Sequence, residues 1–201
     1  TDYRKFVGMI RKLGFDYVHE VSFGVDLVAF AYKKLFEESS GKYYITANCP
    51  SIVEIIEKYN PGLVSNLAPI VSPMIATAMV TRDLYGEEVA NVFIGPCIDT
   101  KAEADIYKEK RLIEAVLTFI EIRQLFDENE IQEKVVKMSE FDPPFGNWGA
   151  LYPYPAGILQ AAGIKRDLVS SHVITASGKE DIIEAINDFN HHIDTIKHHF
   201  N

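Results

Sequence analysis

Short apolar segments along the chain follow two spacings, and each spacing predicts a different element. Apolar residues three or four positions apart predict helices at residues 4–13, 25–39, 51–59, 73–85, 110–126, 158–163 and 179–189. Compact runs rich in β-branched and aromatic residues predict strands at residues 15–21, 43–46, 91–94 and 173–176. Because strands alternate with helices, the pattern indicates parallel βαβ units.

The predicted fold class is α/β, with two lobes that each hold small, mainly parallel sheets flanked by helices. The first lobe spans residues 1–105 and carries both cysteines of the chain, and the second spans residues 106–201. Between the helical segments, residues 141–157 are rich in proline and glycine and contain the only tryptophan, which predicts an ordered irregular loop.

Charge and composition narrow the class of partner. The chain has 201 residues and a net charge of −9, so nucleic acids and anionic membranes are disfavoured as partners. Its N-terminus has no apolar signal core, and no apolar run approaches the roughly 20 residues that span a bilayer. We therefore expect a cytoplasmic protein. Because the chain begins at Thr1 without a methionine, we also expect it to be a piece of a longer protein.

The two cysteines, Cys49 and Cys97, share a local context. Each follows a predicted strand and adjoins a proline, in Cys49-Pro50 and Pro96-Cys97. Ligands of open parallel sheets bind beyond the carboxyl ends of strands, so both thiols are expected to face one crevice. Thiolates there suit an iron–sulfur cluster or zinc. The alternative is that both are ordinary buried cysteines, since free cysteine is among the most buried residue types.

Two further groups of residues leave alternatives open. The terminal histidines His191, His192, His198 and His199 either pair on a helix face as metal ligands or belong to a polar tail. Trp148, Tyr152 and Tyr154 either form an aromatic binding surface or belong to the core. Phosphate-binding glycine loops and nucleophile elbows are absent from the sequence.

The segments Thr46-Ala47-Asn48-Cys49-Pro50, Ser72-Pro73 and Pro96-Cys97 occur in an order that resembles the cluster-binding domain of iron-only (FeFe) hydrogenases. Thr46-Ala47-Asn48-Cys49-Pro50 resembles the first cysteine motif of that family, and Ser72-Pro73 resembles a following Ser-Pro segment. Pro96-Cys97, with Lys101 and Glu103, resembles the second cysteine motif. The matching segments, in chain order, are residues 14–18, 25–27, 46–50, 57–59, 72–73, 96–103, 115–118, 142–161 and 178–180. The resemblance covers most of the chain and implies a hydrogenase large-subunit-like fold.

The resemblance implies a 4Fe–4S cluster with a di-iron subsite, held by four cysteine thiolates. Cys49 and Cys97 would be two of these metal ligands, and the cofactor-binding residues would be Ser72, Pro73, Pro96 and Lys101. The other two cysteines belong to a later motif that does not occur before Asn201. The second lobe is therefore expected to be incomplete at its C-terminus, and we expect no cluster in these 201 residues alone.

Several positions depart from the family pattern. The proton-relay cysteine before the first ligand is replaced by Asn48, and a relay serine aligns with Ala68. Gly95 replaces a methionine, and Thr100 replaces a lysine that binds the di-iron subsite, although Lys101 follows it directly. An amide neither gains nor loses a proton near neutral pH. These departures predict slow hydrogen chemistry and resemble sensory members of the family.

Three functions follow as alternatives. The first is an iron-only hydrogenase-like protein that handles hydrogen, protons and electrons, slowly or as a sensor. The second is a non-catalytic iron–sulfur scaffold or carrier of the cluster-assembly type, and the third is a structural domain with remnant cysteines. For the first, the expected partner is a ferredoxin-type electron donor or an N-terminal iron–sulfur domain of the same protein.

Overall fold

A computed structural model of the chain describes residues 2–38, 42–164 and 173–199, with a two-stranded sheet among helices. The helices are α1 (Tyr3–Lys12), α2 (Ser22–Glu38), α3 (Pro50–Tyr59), α4 (Pro73–Tyr85), α5 (Asp99–Ile106), α6 (Phe119–Glu128), α7 (Gly157–Ala161) and α8 (Lys179–His199). Short 3-10 helices lie at Pro61–Asn66, Lys108–Lys110 and Trp148–Leu151. Strands β1 (Val92–Gly95) and β2 (Ala115–Thr118) are parallel, with Val92 opposite Ala115.

The parallel β1–β2 pair places the chain in the α/β class, as the sequence predicts. Asn91, just before β1, fastens the pair to α4. Its backbone carbonyl accepts from the N–H of Glu114 at 2.8 Å, and its side-chain amide donates to the carbonyl of Leu112 at 3.0 Å. Its side-chain oxygen accepts from the Thr81 hydroxyl in α4 at 2.7 Å. The Asn91 side chain thus connects α4 to the segment that precedes β2.

The prediction of one long helix at residues 110–126 is wrong. Residues 115–118 form β2, and α6 begins only at Phe119. Thr118 and Glu121 form a capping box, in which each side chain binds the other residue's backbone N–H. Arg111 adopts a left-handed conformation with φ 51°, which separates the preceding 3-10 turn from the strand. Residues 115–118 form a strand rather than a helix because β1 supplies their hydrogen-bond partners, which the local apolar periodicity does not reveal.

Three of the four expected strands do not join the sheet. Residues 15–21 and 173–176 are irregular, and residues 43–46 contribute only an isolated parallel bridge between Ile45 and Leu67. The remaining six predicted helices are present: the helix at residues 73–85 has the predicted bounds, and the other five are shifted, with Ser39 outside the described residues. Helix α5 was not predicted, because its polar residues give little apolar periodicity and none of them is buried.

The buried residues form clusters between the helices rather than one layer on the sheet. α4 and the start of β2 share one cluster, α1 packs on α6, α2 packs on α4, and α3 packs on α8. The buried members of these four clusters, in the same order, are Met74, Ile75, Ala78, Leu112, Ile113 and Val116; Val7, Ile10, Val18, Ile122 and Phe126; Val28, Tyr32, Ala68 and Ala76; and Ile56, Leu63, Ile186 and Ile193. α4 therefore contributes to two clusters and connects α2 to the sheet.

The proposed lobe boundary at residue 105 stays a prediction. β1 lies before that position and β2 after it, so the sheet itself joins the two halves. Among the described helices, none is both long and apolar enough to cross a membrane.

Candidate functional site

Cys49 lies at the start of α3, in a turn that the local sequence explains. Pro50 occupies the first helical position, where its missing N–H costs nothing. The carbonyl of Cys49 accepts from the N–H groups of Ile52 and Val53 at 3.1 and 3.3 Å. The half-buried thiol makes no capping hydrogen bond and is not in a disulfide. It is therefore free to bind another group.

Cys97 lies between β1 and α5. Gly95 ends the strand, Pro96 is exposed, and the Cys97 carbonyl accepts from the Thr100 hydroxyl at 2.6 Å. The thiol is free and half-buried, like that of Cys49. Cys97 therefore follows a strand, as predicted. The expectation that Cys49 also follows a neighbouring parallel strand is wrong, because residues 43–46 form no strand and β1 pairs with β2.

A hydrogen bond nevertheless joins the two cysteine loops. The Ser51 hydroxyl, two residues after Cys49, donates to the carboxylate of Asp99, two residues after Cys97. α3 and α5 pack against each other at this point. The packing of α3 on α5 and this side-chain contact thus bring the two cysteine loops together. From the sequence, we expected a shared sheet to align them.

Tyr152 belongs to this site, although the sequence assigned it only to an aromatic group. Its hydroxyl donates to the carbonyl of Asn48 at 3.1 Å and accepts from the Asn48 amide at 3.0 Å. Burial raises the pKa of Tyr152, the Asn48 hydrogen bond opposes that rise, and the charges of Cys49, Glu103 and Cys97 add to it. The hydroxyl is therefore within electrostatic reach of both cysteines.

Glu103, a half-buried residue of α5, contributes a carboxyl with one buried oxygen to the same region. Its Oε2 atom is buried without a hydrogen-bond partner in the described part of the chain. Burial raises the pKa of Glu103, and a hydrogen bond from the Ser72 hydroxyl partly offsets the rise. A buried polar atom without a partner is costly, so it marks a place where a further polar or charged group fits.

The predicted cofactor-binding residues occupy different environments. Ser72 is 3% exposed and caps α4, where its Oγ accepts from the Ile75 N–H, and Pro73 follows at the first helical position. Lys101 forms an ion pair with Glu121 at 2.5 Å. This contact, with hydrogen bonds from Thr118, lowers the pKa of Glu121 to about 2. Lys101 thus already has a carboxylate partner at the start of α6.

Three of the departures from the family pattern have structural explanations. Ala68 is buried in one apolar cluster with Val28 and Tyr32. A Cβ on Gly95 would lie 2.6 Å from the Phe93 ring, so a larger residue there requires that ring to move. The Thr100 hydroxyl binds the Cys97 loop. Of the three, Thr100 stabilises the loop that carries Cys97.

Among the aromatic candidates, Tyr152 hydrogen-bonds to Asn48, and Tyr154 lines the same cavity as that pair. Trp148 and Tyr154 are 62% and 66% exposed, so the alternative that places them in the core is wrong for these two residues. Trp148 lines an open groove with Phe23, Phe30 and Phe145, whereas Asn48 and Tyr152 line a separate cavity of about 290 Å³. His191 and His192 are exposed on α8, and the side chains of His198 and His199 lie outside the described residues.

The donor set fits part of a cluster site. Free thiols on joined loops are suitable ligands for iron, and two of them are half of a four-thiolate set. Within residues 2–38, 42–164 and 173–199, no three His, Cys, Asp or Glu side chains converge as a metal site. The remaining ligands of a complete cluster would therefore have to come from outside these residues.

Comparison with known proteins agrees with the geometry. Residues 1–198 match the family described as "Iron only hydrogenase large subunit, C-terminal domain". Iron hydrogenase 1 of Clostridium pasteurianum is 30% identical over 176 residues, which cover 79% of this chain and 31% of that protein. The cytosolic Fe-S cluster assembly factor NAR1 of Yarrowia lipolytica is 27% identical over 140 residues, covering 61% and 28%.

Solved structures show the same fold. A variant of the [FeFe]-hydrogenase HydA1 from Chlamydomonas reinhardtii superposes with a TM-score of 0.62 at 24% identity, covering 72% of this chain and 40% of that one. The chain spans about a third of the length of the curated relatives that it matches. The likeness to HydA1 supports the α/β hydrogenase-like fold.

Proposed function

Because the chain belongs to the family of the iron-only hydrogenase large subunit, C-terminal domain, we propose that the full-length protein binds an iron–sulfur cluster through Cys49 and Cys97. The observation that carries the proposal is the pair of free, half-buried thiols on loops joined by Ser51 and Asp99. A 4Fe–4S cluster with a di-iron subsite supplies reversible electron transfer and hydrogen chemistry when bound. The chain itself supplies two thiolates and the polar surroundings formed by Ser72, Glu103 and Tyr152.

The surroundings favour slow or sensory hydrogen chemistry in the full-length protein. The Asn48 amide binds the Tyr152 hydroxyl and cannot exchange a proton at working pH. Thr100 binds the Cys97 carbonyl, and Lys101 pairs with Glu121. The groups that would move protons or hold a di-iron subsite in the family are thus replaced here by groups with structural contacts.

A non-catalytic scaffold or carrier of iron–sulfur clusters is the second candidate. Relatives named as cytosolic Fe-S cluster assembly factors support it, as does the inert amide at position 48. The same relatives support a cytoplasmic location. For the hydrogen-handling function, the proposed electron partner is a ferredoxin-type donor or an N-terminal iron–sulfur domain of the full-length protein.

The metal proposal is tested with Cys49→Ser and Cys97→Ser in the full-length protein, reconstituted without oxygen. Each variant is expected to lose most of its bound iron and sulfide, because serine replaces a soft thiolate with a hydroxyl. The matched control is Ser65→Ala, which removes an exposed hydroxyl from the 3-10 helix Pro61–Asn66 and no ligand. Iron and sulfide contents equal to wild type in both cysteine variants would leave only the structural alternative.

The two candidate functions are separated by hydrogen turnover, with Asn48→Cys as the informative variant. A hydrogen-handling protein is expected to turn over slowly and to gain rate in the variant, toward the roughly 10²-fold that a positioned proton-transfer group contributes. A scaffold is expected to show no turnover in either form and to pass its cluster to an apo-acceptor. Rapid turnover by wild type, unchanged in the variant, would contradict the role given to Asn48.

A further inference from the structure

We propose that Tyr152 is a positioning residue, whose hydroxyl fixes the Asn48–Cys49 turn and so the direction of the Cys49 thiol. Asn48 is then the matched partner of that hydroxyl rather than a passive replacement. The importance of the thiol direction rests on the proposed metal-binding function. The pairing of Tyr152 with Asn48 does not, and it is measurable without metal.

The hydroxyl holds Asn48 at two points. It donates to the backbone carbonyl at 3.1 Å and accepts from the side-chain amide at 3.0 Å, so both the peptide plane before Cys49 and the Asn48 side chain are fixed. On its other side, Cys49 is held by hydrogen bonds from Ile52 and Val53 to its carbonyl. Because the thiol makes no capping bond, these backbone restraints fix the Cα–Cβ bond from which it projects and so restrict its direction.

Tyr152 can act as an anchor because its own loop is firmly attached to α2. The Asp26 carboxylate accepts from the N–H groups of Asn147 and Gly149, each at 2.6 Å. The Tyr152 N–H in turn donates to the Gly149 carbonyl at 3.0 Å. A Cβ on Gly149 would lie 2.0 Å from the Ser22 carbonyl oxygen, so the loop backbone lies directly against α2. The contact with Asn48 therefore connects the cysteine turn to a rigid part of the fold.

The pairing also explains why an amide stands before Cys49. A tyrosine hydroxyl that donates to a carbonyl has lone pairs left to accept, and the Asn48 amide supplies the donor. A thiol is only a weak donor, so a cysteine at position 48 leaves this acceptor poorly satisfied. Asn48 and Tyr152 are thus expected to depend on each other.

The test measures alkylation of the two thiols in the metal-free 201-residue chain, by iodoacetamide and peptide mass spectrometry. In Tyr152→Phe, the Cys49 rate is expected to change by about fivefold, the equivalent of one hydrogen bond, while Cys97 changes much less. Tyr154→Phe is the matched control, since Tyr154 is 66% exposed two positions later, and it should leave both rates unchanged. An unchanged Cys49 rate in folded Tyr152→Phe would overturn the proposal.

A second variant keeps the test decisive if Tyr152→Phe does not fold. Asn48→Ala removes only the amide donor, leaves the bond to the carbonyl, and is expected to change the Cys49 rate in the same direction by a smaller factor. An unchanged Cys49 rate in folded Asn48→Ala would by itself overturn the proposal. Where Tyr152→Phe does fold, adding Asn48→Ala to it is expected to change the rate by less than about twofold, since the partner is already gone. Additive effects of the two changes would overturn the pairing.

The loaded full-length protein separates this proposal from the metal-binding function. Tyr152→Phe is expected to keep its iron content and to alter the electron paramagnetic resonance signal of the cluster, because the direction of one ligand has changed. An unaltered signal would overturn the positioning role while leaving the metal site intact. Loss of iron only in Cys49→Ser and Cys97→Ser would support the metal site independently of Tyr152.

Discussion

Asn48 and Tyr152 lie 104 positions apart, which explains why local sequence identified one partner and not the other. Cys49, Cys97 and Ser72 are recognisable because their neighbouring prolines and spacing follow a motif. Tyr152 lies in a proline- and glycine-rich loop with no periodicity, and its role depends on where that loop packs. The Ser51–Asp99 contact was not foreseen either, since it requires α3 and α5 to meet.

Gly149 offers a test of how tightly the loop of Tyr152 is attached. Gly149→Ala is expected to lower the free energy of unfolding by about 1–3 kcal/mol, because the new methyl group meets the Ser22 carbonyl and the backbone must shift. Urea unfolding measures the change. The control is Gly62→Ala, where no atom lies within 4 Å of the added carbon, and it is expected to be neutral or slightly stabilising. Equal free energies of unfolding for wild type and Gly149→Ala would mean that the loop moves away from α2 without loss of stability.

At the scale of elements, the helices with strong apolar periodicity were predicted well and the short strands poorly. Helix boundaries at Ser72-Pro73 and Gly86 follow from side-chain capping and a positive φ, both of which are local effects. The strand β2 depends on pairing with β1, and residues 43–46 found only the isolated bridge to Leu67. A segment rich in β-branched residues is able to form a strand, but it does so only where another strand is available to pair with it.

The ion pair between α5 and α6 predicts a dependence of stability on pH. The Glu121 carboxyl has its pKa lowered from 4.5 to about 2, chiefly by Lys101. A carboxyl with a depressed folded pKa contributes stability that is present above its unfolded pKa and lost as pH falls through the folded one. The contribution of Glu121 is therefore complete above about pH 4.5 and disappears between that value and about pH 2.

Urea unfolding of wild type and Glu121→Gln at several pH values tests this. Wild type is expected to be the more stable near neutral pH, and the difference should shrink as the pH falls below about 4.5. Glu128→Gln, an exposed position in the same helix, is the control and should follow the pH profile of wild type. A constant difference between wild type and Glu121→Gln at all pH values would show that Lys101 does not hold the carboxylate.

For the molecule as a whole, the family and the α/β class could be inferred from the sequence, because the order of the motifs along the chain is recognisable even where the strand pairing is not. The way in which the cysteines come together could not. The expected common sheet edge is replaced by the packing of α3 on α5, while β2 comes from a segment assigned to a helix. Motif order reflects a shared chain path, whereas the contacts that align two loops depend on residues far apart in sequence.

The count of thiolates in these 201 residues leads to a prediction about the isolated chain. Its two cysteines can supply half of the four thiolates of a 4Fe–4S site, so anaerobic reconstitution followed by desalting is expected to leave iron and sulfide well below one cluster per chain. Iron and sulfide assays, the visible charge-transfer band and the mass in solution are measured together. A full cluster in a monomer would contradict the prediction, because it would require ligands other than the two thiols. A cluster that appears only with a doubled mass would support it, since two chains together supply four thiolates.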